Sequence, residues 1–355
     1  MDIFNGDLAK NEMISLFILI ALFWSLCFTW LPLAIAATIY LGWFIRSQFF
    51  NVKWIDPSGK VVYITGCDSG FGKASALTLA HAGFTVCAGC LRPEECKDLS
   101  DTPNIHVLDL DVSDEEKIKK CAEFVKDICK DKGLWALYNN AGFSTAGEIE
   151  WVPLELYQRQ MDVNLWGPVR VTQSVLPLIR QAKGRVVTVT SGISRSAASG
   201  RSPYSVSKNA LETFMECLRY EMDKFGVKCS VIQPGNLSGT TRIFTGMADS
   251  VAKLYEKLSP EVRNAYGEEY LKRFLELIVQ NYATVGGPAN APIDPVVSDI
   301  KHAIMSEQPR IRYKPSQMGW IIWWFFHNLL PEELTHIYMT KWYLRNLPKP
   351  AGRSV

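Results

Sequence analysis

From Lys60 onward, short apolar runs rich in β-branched residues alternate with longer amphipathic stretches. That alternation narrows the available folds more than any other feature of the chain. Lys60–Thr65 (KVVYIT), Phe84–Cys90, Ile105–Leu110, Leu134–Asn139, Arg185–Thr190 and Val227–Ile232 read as strands. Helical stretches lie between them, near 70–82, 113–132, 153–182 and 204–225. Strands that are apolar throughout, not at every second residue, are buried on both faces, as in a parallel sheet covered by helices. The fold class is therefore α/β, a doubly wound parallel sheet, and its ligands are expected at the carboxyl ends of the strands.

The segment ahead of this pattern follows another rule. From Met13 to Phe44 there is no charged residue. As a helix this run would be about 48 Å long, against a hydrocarbon core of about 30 Å. Residues 1–49 are thus expected to form a membrane anchor spanning at 13–44, either as one tilted span or as a hairpin bent near Pro32. A cleaved signal peptide fits poorly, because the run is too long and Asp2, Asp7, Lys10 and Glu12 before it are not a basic segment. With Arg46, Lys53 and Lys60 after a single span, the positive-inside rule places the main domain in the cytoplasm. A hairpin would leave that domain on the side of the N-terminus.

Composition removes other classes. At 48% hydrophobic and 21% charged, the chain is neither disordered nor a small disulfide scaffold. Its 38 basic and 36 acidic residues leave a net charge of +2, with no like-charge block that would imply a nucleic-acid partner. Nine cysteines, an odd number, suit a reducing compartment. Cys87 and Cys90 have C-x-x-C spacing, but they sit in a strand-like run with no second pair or histidine cluster, so they read as buried thiols. His302, His327 and His336 show no metal-ligand spacing, and no metal is expected.

Three motifs fall at strand ends. Gly66-Cys67-Asp68-Ser69-Gly70-Phe71-Gly72 follows the first strand and opens the first helix. Glycines there let the backbone approach a pyrophosphate, and the helix N-terminus supplies free N–H donors and the positive end of its dipole. Asn139-Asn140-Ala141-Gly142 ends the fourth strand, where small residues admit a flat cofactor. Ser191 ends the fifth strand, and Tyr204 and Lys208 follow, four apart and so on one helix face. An ammonium near a phenol lowers its pKa from about 10 toward working pH, and a serine hydroxyl can donate to a carbonyl oxygen.

In this order and spacing, the motifs resemble the short-chain dehydrogenase/reductase family from about Pro57 to the C-terminal region. The resemblance implies a Rossmann catalytic domain over 57–315. Asn164, in Val163-Asn164-Leu165-Trp166-Gly167, matches the family's fourth catalytic position. Asp111-Val112 matches the adenine-contacting pair, and Pro234-Gly235 the turn beside the nicotinamide. The implied cofactor contacts are Gly66, Asp68, Ser69, Gly70, Phe71, Gly72, Asp111, Val112, Asn140, Ala141, Gly142, Tyr204, Lys208, Pro234 and Gly235. The implied catalytic set is Asn164, Ser191, Tyr204 and Lys208. Tyr204 would take the hydroxyl proton, Lys208 would lower its pKa and hold the ribose, Ser191 would bind the substrate oxygen, and Asn164 would hold a relay water. Finer likenesses, such as Ala88-Gly89-Cys90-Leu91 and Leu176-Pro177-Leu178-Ile179-Arg180, point to the subgroup of hydroxysteroid, retinol and 3-hydroxybutyrate dehydrogenases.

The cofactor implied is NAD, with NADP as the alternative. The second strand ends Gly89-Cys90-Leu91-Arg92 without an acid, Arg92 could meet a 2′-phosphate, and the glycine loop holds no basic residue. Residues 236–295 are expected to form a substrate lid, in which Val262, Tyr266, Tyr270, Phe274 and Ile278 make one amphipathic helix. Residues 316–355 carry the aromatic run Trp320–Leu330, which is too short to span and suits either an interfacial helix or a packed one. The function implied is oxidoreduction of a lipophilic secondary or allylic alcohol, of steroid or retinoid type, at a bilayer. Alternatives are (R)-3-hydroxybutyrate, for which Arg195 or Arg201 would meet the carboxylate, and a catalytically silent nucleotide-binding scaffold. An uncleaved anchor fits the endoplasmic reticulum, with a mitochondrial membrane as the alternative; self-assembly into a homo-oligomer stays open.

Overall fold

The computed structural model describes residues 4–49, 52–235, 241, 243, 246–284, 292–315 and 331–347. It divides into two units, Met1–Trp54 and Ile55–Val355. In the first, helix α1 runs unbroken from Phe4 to Phe49 through Pro32, so the hairpin alternative is not what forms. Within it Phe17–Tyr40, 24 residues, is long and apolar enough to cross a membrane. Phe17, Phe28, Trp30 and Ile39 all stand exposed, leaving no polar face. The Thr38 hydroxyl donates back to the Ala34 carbonyl at 2.8 Å, so it is satisfied within the helix.

The second unit is built on seven strands: β1 (Val61–Thr65), β2 (Thr85–Cys90), β3 (Ile105–Asp109), β4 (Ala136–Asn139), β5 (Arg185–Val189), β6 (Lys228–Ile232) and β7 (Arg312–Tyr313). All neighbours pair in parallel, in the order β3-β2-β1-β4-β5-β6-β7. The chain runs outward from β1 to β3, then crosses back to lay β4 on the other side of β1. That reversal opens a crevice at the carboxyl ends of β1 and β4.

The pleat sorts the core. Val62 and Ile64 face α2 (Gly70–His81) and α11 (Asp294–Met305), whose Ala76, Leu79, Val296 and Ile300 complete one layer. Val61 and Tyr63 face the other way, with Ile118 and Val125 of α4 (Glu115–Cys129), Val171 and Val175 of α6 (Gly167–Gln181), and Met215 and Leu218 of α7 (Ser202–Asp223). Each buried Leu or Ile contributes about 1.5–3 kcal/mol, and the sheet receives this on both faces. A short α3 (Lys97–Ser100) follows β2. The seventh strand is two residues long, too short to leave a period in the sequence.

Two expected helices form differently. The stretch 153–182 is α5 (Leu154–Met161), one wide π-turn (Asp162–Trp166) and then α6. Pro168 explains the widening: it has no N–H to give to the Asn164 carbonyl four residues back, so a regular turn cannot close there. The lid stripe is also broken. It lies on α9 (Pro260–Tyr266) and α10 (Glu268–Thr284), separated by Gly267 at φ +84°. With α8 (Met247–Glu256), these helices pack around buried Trp151, whose ring meets Tyr255, Tyr266, Tyr270 and Phe274 edge-on at 5.0–6.0 Å. A final helix, α12, spans Glu332–Asn346. Trp320–Leu330 lies outside the described residues.

Candidate active site

The glycine motif folds as its spacing requires. Gly66 sits at φ +71°, and a side chain there would lie 2.8 Å from the Ala141 backbone, so the β1 turn and the β4 turn touch only because Gly66 has none. The two turns are stitched together. Thr65 Oγ1 accepts from the Asn140 and Ala141 N–H groups at 3.0 Å, and the Asn140 amide donates to the Thr65 and Gly66 carbonyls at 3.0 and 2.8 Å. Asn140 therefore shapes the loop through its side chain. No side chain caps α2, since Ser69 at its N-cap makes no such bond. The uncapped N–H groups of its first turn are open to an anion.

Asp68 occupies a position that its place in the sequence does not reveal. Its carboxylate accepts from Leu91 N–H at 3.1 Å and Arg92 N–H at 2.8 Å, which puts an acid at the end of β2 after all. Arg92 itself pairs with Glu95 at 2.9 Å. The sulfurs of Cys90 and Cys96 lie within 4.8 Å of the Asp68 carboxylate, and burial pushes both thiols up, keeping them protonated. At the end of β3, Asp111 accepts from the N–H and hydroxyl of Ser113 at 2.9 and 2.6 Å, while Val112 is buried against Gly167. Pro234, after β6, accepts from Gly192 N–H at 2.8 Å and so ties the turn at 234–235 to the loop that carries Ser191.

Ser191, Tyr204, Lys208, Asn164 and Gly142 meet at the carboxyl ends of β4 and β5. Burial raises the Tyr204 pKa, and a hydrogen bond with Ser191 and the charge of Arg201 work against that rise. The Ser191 hydroxyl accepts from Ile193 N–H at 3.4 Å, leaving its own proton for another oxygen. Lys208 is buried, donates one bond, to the Val189 carbonyl at 3.0 Å, and burial lowers its pKa to about 8. Its ammonium is 5.9 Å from the Tyr204 ring centre. The charge of Arg201 acts downward on the Tyr204 pKa from outside the Tyr204–Lys208 pair. A side chain on Gly142 would lie 3.1 Å from Asn164 Oδ1 and 3.7 Å from Lys208 Nζ.

Asn164 is fully buried, and its amide is engaged by protein. Nδ2 donates to the Phe143 carbonyl at 2.9 Å and to Ser207 Oγ at 3.1 Å, and Oδ1 accepts from Phe143 N–H at 3.0 Å. Both of its N–H groups are thus unavailable to a water, and the group left short of a helical donor is its carbonyl, opposite Pro168. Gln160, which also donates to the Phe143 carbonyl, was not foreseen. Arg195 is not placed to meet a substrate carboxylate, because it pairs with Glu216 and reaches Glu212 at 3.8 Å. Trp151 and Glu212 left no signal in the sequence. Trp151 acts through rings at positions 255–274, and Glu212 through Ser194 and through Arg312 at the far edge of the sheet.

Comparison with known proteins gives the family and the fold. A family model described as short chain dehydrogenase matches residues 60–249. The chain is 41% identical over 278 residues to the mitochondrial D-beta-hydroxybutyrate dehydrogenase of Bos taurus, covering 75% of this chain and 80% of that protein. It is 34% identical over 328 residues to retinol dehydrogenase 5 of Mus musculus, covering 91% and 98%. A solved short-chain dehydrogenase from Streptomyces avermitilis superposes with a TM-score of 0.62 at 26% identity, over 81% of this chain and 96% of that one.

Proposed function

The chain belongs to the short-chain dehydrogenase family, and from that premise we propose that it oxidises a lipophilic secondary or allylic alcohol, of steroid or retinoid type, to the carbonyl with NAD. It is an oxidoreductase acting on CH–OH donors. The observation that carries the reading is the buried Tyr204 with Lys208, its ammonium 5.9 Å from the ring centre and donating a single hydrogen bond, at the strand end that carries Ser191.

Each residue then has a task. Tyr204, as phenolate, takes the alcohol proton. Ser191 donates to the substrate oxygen, since its other side accepts from Ile193. Lys208 turns its two remaining N–H groups to ribose hydroxyls and relays protons, with a pKa of about 8 that lets it exchange near neutral pH. Asn164 fixes the β4 turn to α7 by its amide and offers its carbonyl to a relay water. The uncapped end of α2 and the Asp68 carboxylate fit a dinucleotide, with the former toward pyrophosphate and the latter toward adenosine ribose. A carboxylate there disfavours a 2′-phosphate, which supports NAD over NADP. The nicotinamide, when bound, supplies the hydride acceptor.

A bilayer suits a lipophilic substrate and the apolar α1. The compartment read from the uncleaved anchor is the endoplasmic reticulum, with the domain in the cytoplasm. A mitochondrial membrane is the alternative, which the name of the Bos taurus relative favours. The same relative, at 41% identity, supports 3-hydroxybutyrate as a second substrate reading, for which Arg201, close enough to act on Tyr204, is the carboxylate partner.

The test is cofactor reduction by the detergent-solubilised full chain, with estradiol, testosterone, all-trans-retinol and (R)-3-hydroxybutyrate, each with NAD and NADP. Turnover on a sterol or retinol with NAD is expected, falling at least about 100-fold in Tyr204→Phe. Turnover on hydroxybutyrate alone overturns the lipophilic reading.

A further inference from the structure

Tyr204, Lys208, Glu212 and Glu216 recur every four residues along α7, so the stripe that carries the base continues into two carboxylates. Glu212 is buried. Its Oε1 pairs with Arg312 of β7 and its Oε2 accepts from Ser194 Oγ at 3.0 Å. Ser194 stands three residues after Ser191 on the same loop and is itself buried.

What holds Ser194 also holds Ser191. Ser194 Oγ receives Gln233 Nε2 at 3.1 Å, from the residue just before Pro234. Its single proton can go to Glu212, to the Ser191 carbonyl at 2.7 Å or, at the longer distance of 3.4 Å, to Thr190 Oγ1. The Ser194 N–H also donates to that carbonyl, at 3.0 Å. An ionised acceptor gives the stronger bond, and Glu212 has Arg312 to balance its charge, with Arg195 at 3.8 Å. Arg312 also reaches Glu216 at 3.1 Å, which closes the network onto the edge strand.

We propose that Glu212 is the positioning residue for Ser191. One helix thereby sets both groups that face the substrate oxygen: Tyr204 directly, and Ser191 through Glu212 and Ser194. This rests on the assignment of Ser191 and Tyr204 made above. Displacing Ser191 removes a hydrogen bond that lowers the Tyr204 pKa, so loss of Glu212 moves the phenol's titration upward as well as slowing turnover.

The experiment compares Glu212→Ala, Glu212→Gln, Ser194→Ala and Ser191→Ala in the solubilised full chain. Two properties are read: kcat against pH on the best alcohol of the panel, and the alkaline difference absorbance of Tyr204 (each protein minus its Tyr204→Phe counterpart). Glu212→Ala and Ser194→Ala are expected to lose about 10- to 100-fold in kcat, with the KM for NAD unchanged and the Tyr204 titration shifted upward. Glu212→Gln, which keeps an oxygen facing Ser194, is expected to recover part of both. Should Glu212→Ala fail to fold, Ser194→Ala and Glu212→Gln decide the matter. If they leave kcat and the titration at wild-type values while Ser191→Ala impairs both, the positioning role is overturned and the catalytic assignment stands. If Ser191→Ala itself changes neither, the underlying assignment falls.

Discussion

A single strand, β5, has a buried cation at each end. At its amino end Arg185 gives Nη1 to the Ala303 and Ser306 carbonyls at 3.0 and 2.7 Å, and its guanidinium lies 4.3 Å over the Trp135 ring. Trp135 Nε1 reaches the Ile304 carbonyl between them at 3.0 Å. The pair thus closes the C-terminal end of α11, where the helix dipole is negative. Near the carboxyl end, Lys208 gives one bond to the Val189 carbonyl. Burial lowers the Arg185 pKa to about 10, which leaves it charged, and that of Lys208 to about 8, where its charge can change. Equal burial therefore means different things. The cation tied to a helix end, with a ring beneath it, serves the fold even with its Nε–H unpartnered; the one whose charge can change near neutral pH is the one proposed to serve the reaction.

Substitution should separate the two ends. Lys208→Met is expected to reduce initial rates of alcohol oxidation about 100- to 10,000-fold. Its thermal midpoint should hold or rise, because a buried ammonium with one partner is replaced by an apolar chain. A fall in midpoint would make Lys208 a structural cation too and erase the contrast. Arg185→Met should do the reverse. Orphaned carbonyls at the end of α11 are expected to lower unfolding stability by about 2–4 kcal/mol in a denaturant titration, with kcat per folded molecule unchanged.

The smallest effect concerns Asp299, on α11 itself. Burial raises its carboxyl pKa to about 6, partly offset by Arg310, against an ordinary value of 3.8. The folded chain then binds more protons than the unfolded chain between those values, so stability is lost as pH rises through about 6. Asp299→Asn should gain about 1–2 kcal/mol at pH 7, a difference that vanishes below about pH 4, with kcat unmoved. A change in kcat would show that the amino-end constellation reaches the reaction.

How much of this was legible follows from where the information sits. Strand and helix order came through because buried parallel strands are apolar throughout; Ser191 and the glycines stand at strand ends, whereas Tyr204 and Lys208, four apart on α7, take their meaning from the family resemblance that they complete. Asp68 was visible as a residue but not as the acid of β2, because its bonds to Leu91 and Arg92 join positions 23 and 24 apart. Arg195 looked free for a substrate because Glu212 and Glu216 share no local pattern with it. The π-turn could have been suspected from Pro168. The single lid helix could have been doubted at Gly267. Trp151 offered no hint, since nothing in its own neighbourhood says that four rings from positions 255–274 will surround it.

That aromatic hub has a consequence in time. Residues 255–274 become native only by closing on position 151, so their contacts are long in sequence and wait on a sheet that must already exist. A hub of edge-on rings that forms a cluster apart from both sheet layers is expected to open as a unit of its own while the strands stay paired. Amide hydrogens of α9 and α10 should therefore exchange through a local opening, well before those of β1, β4 and β5.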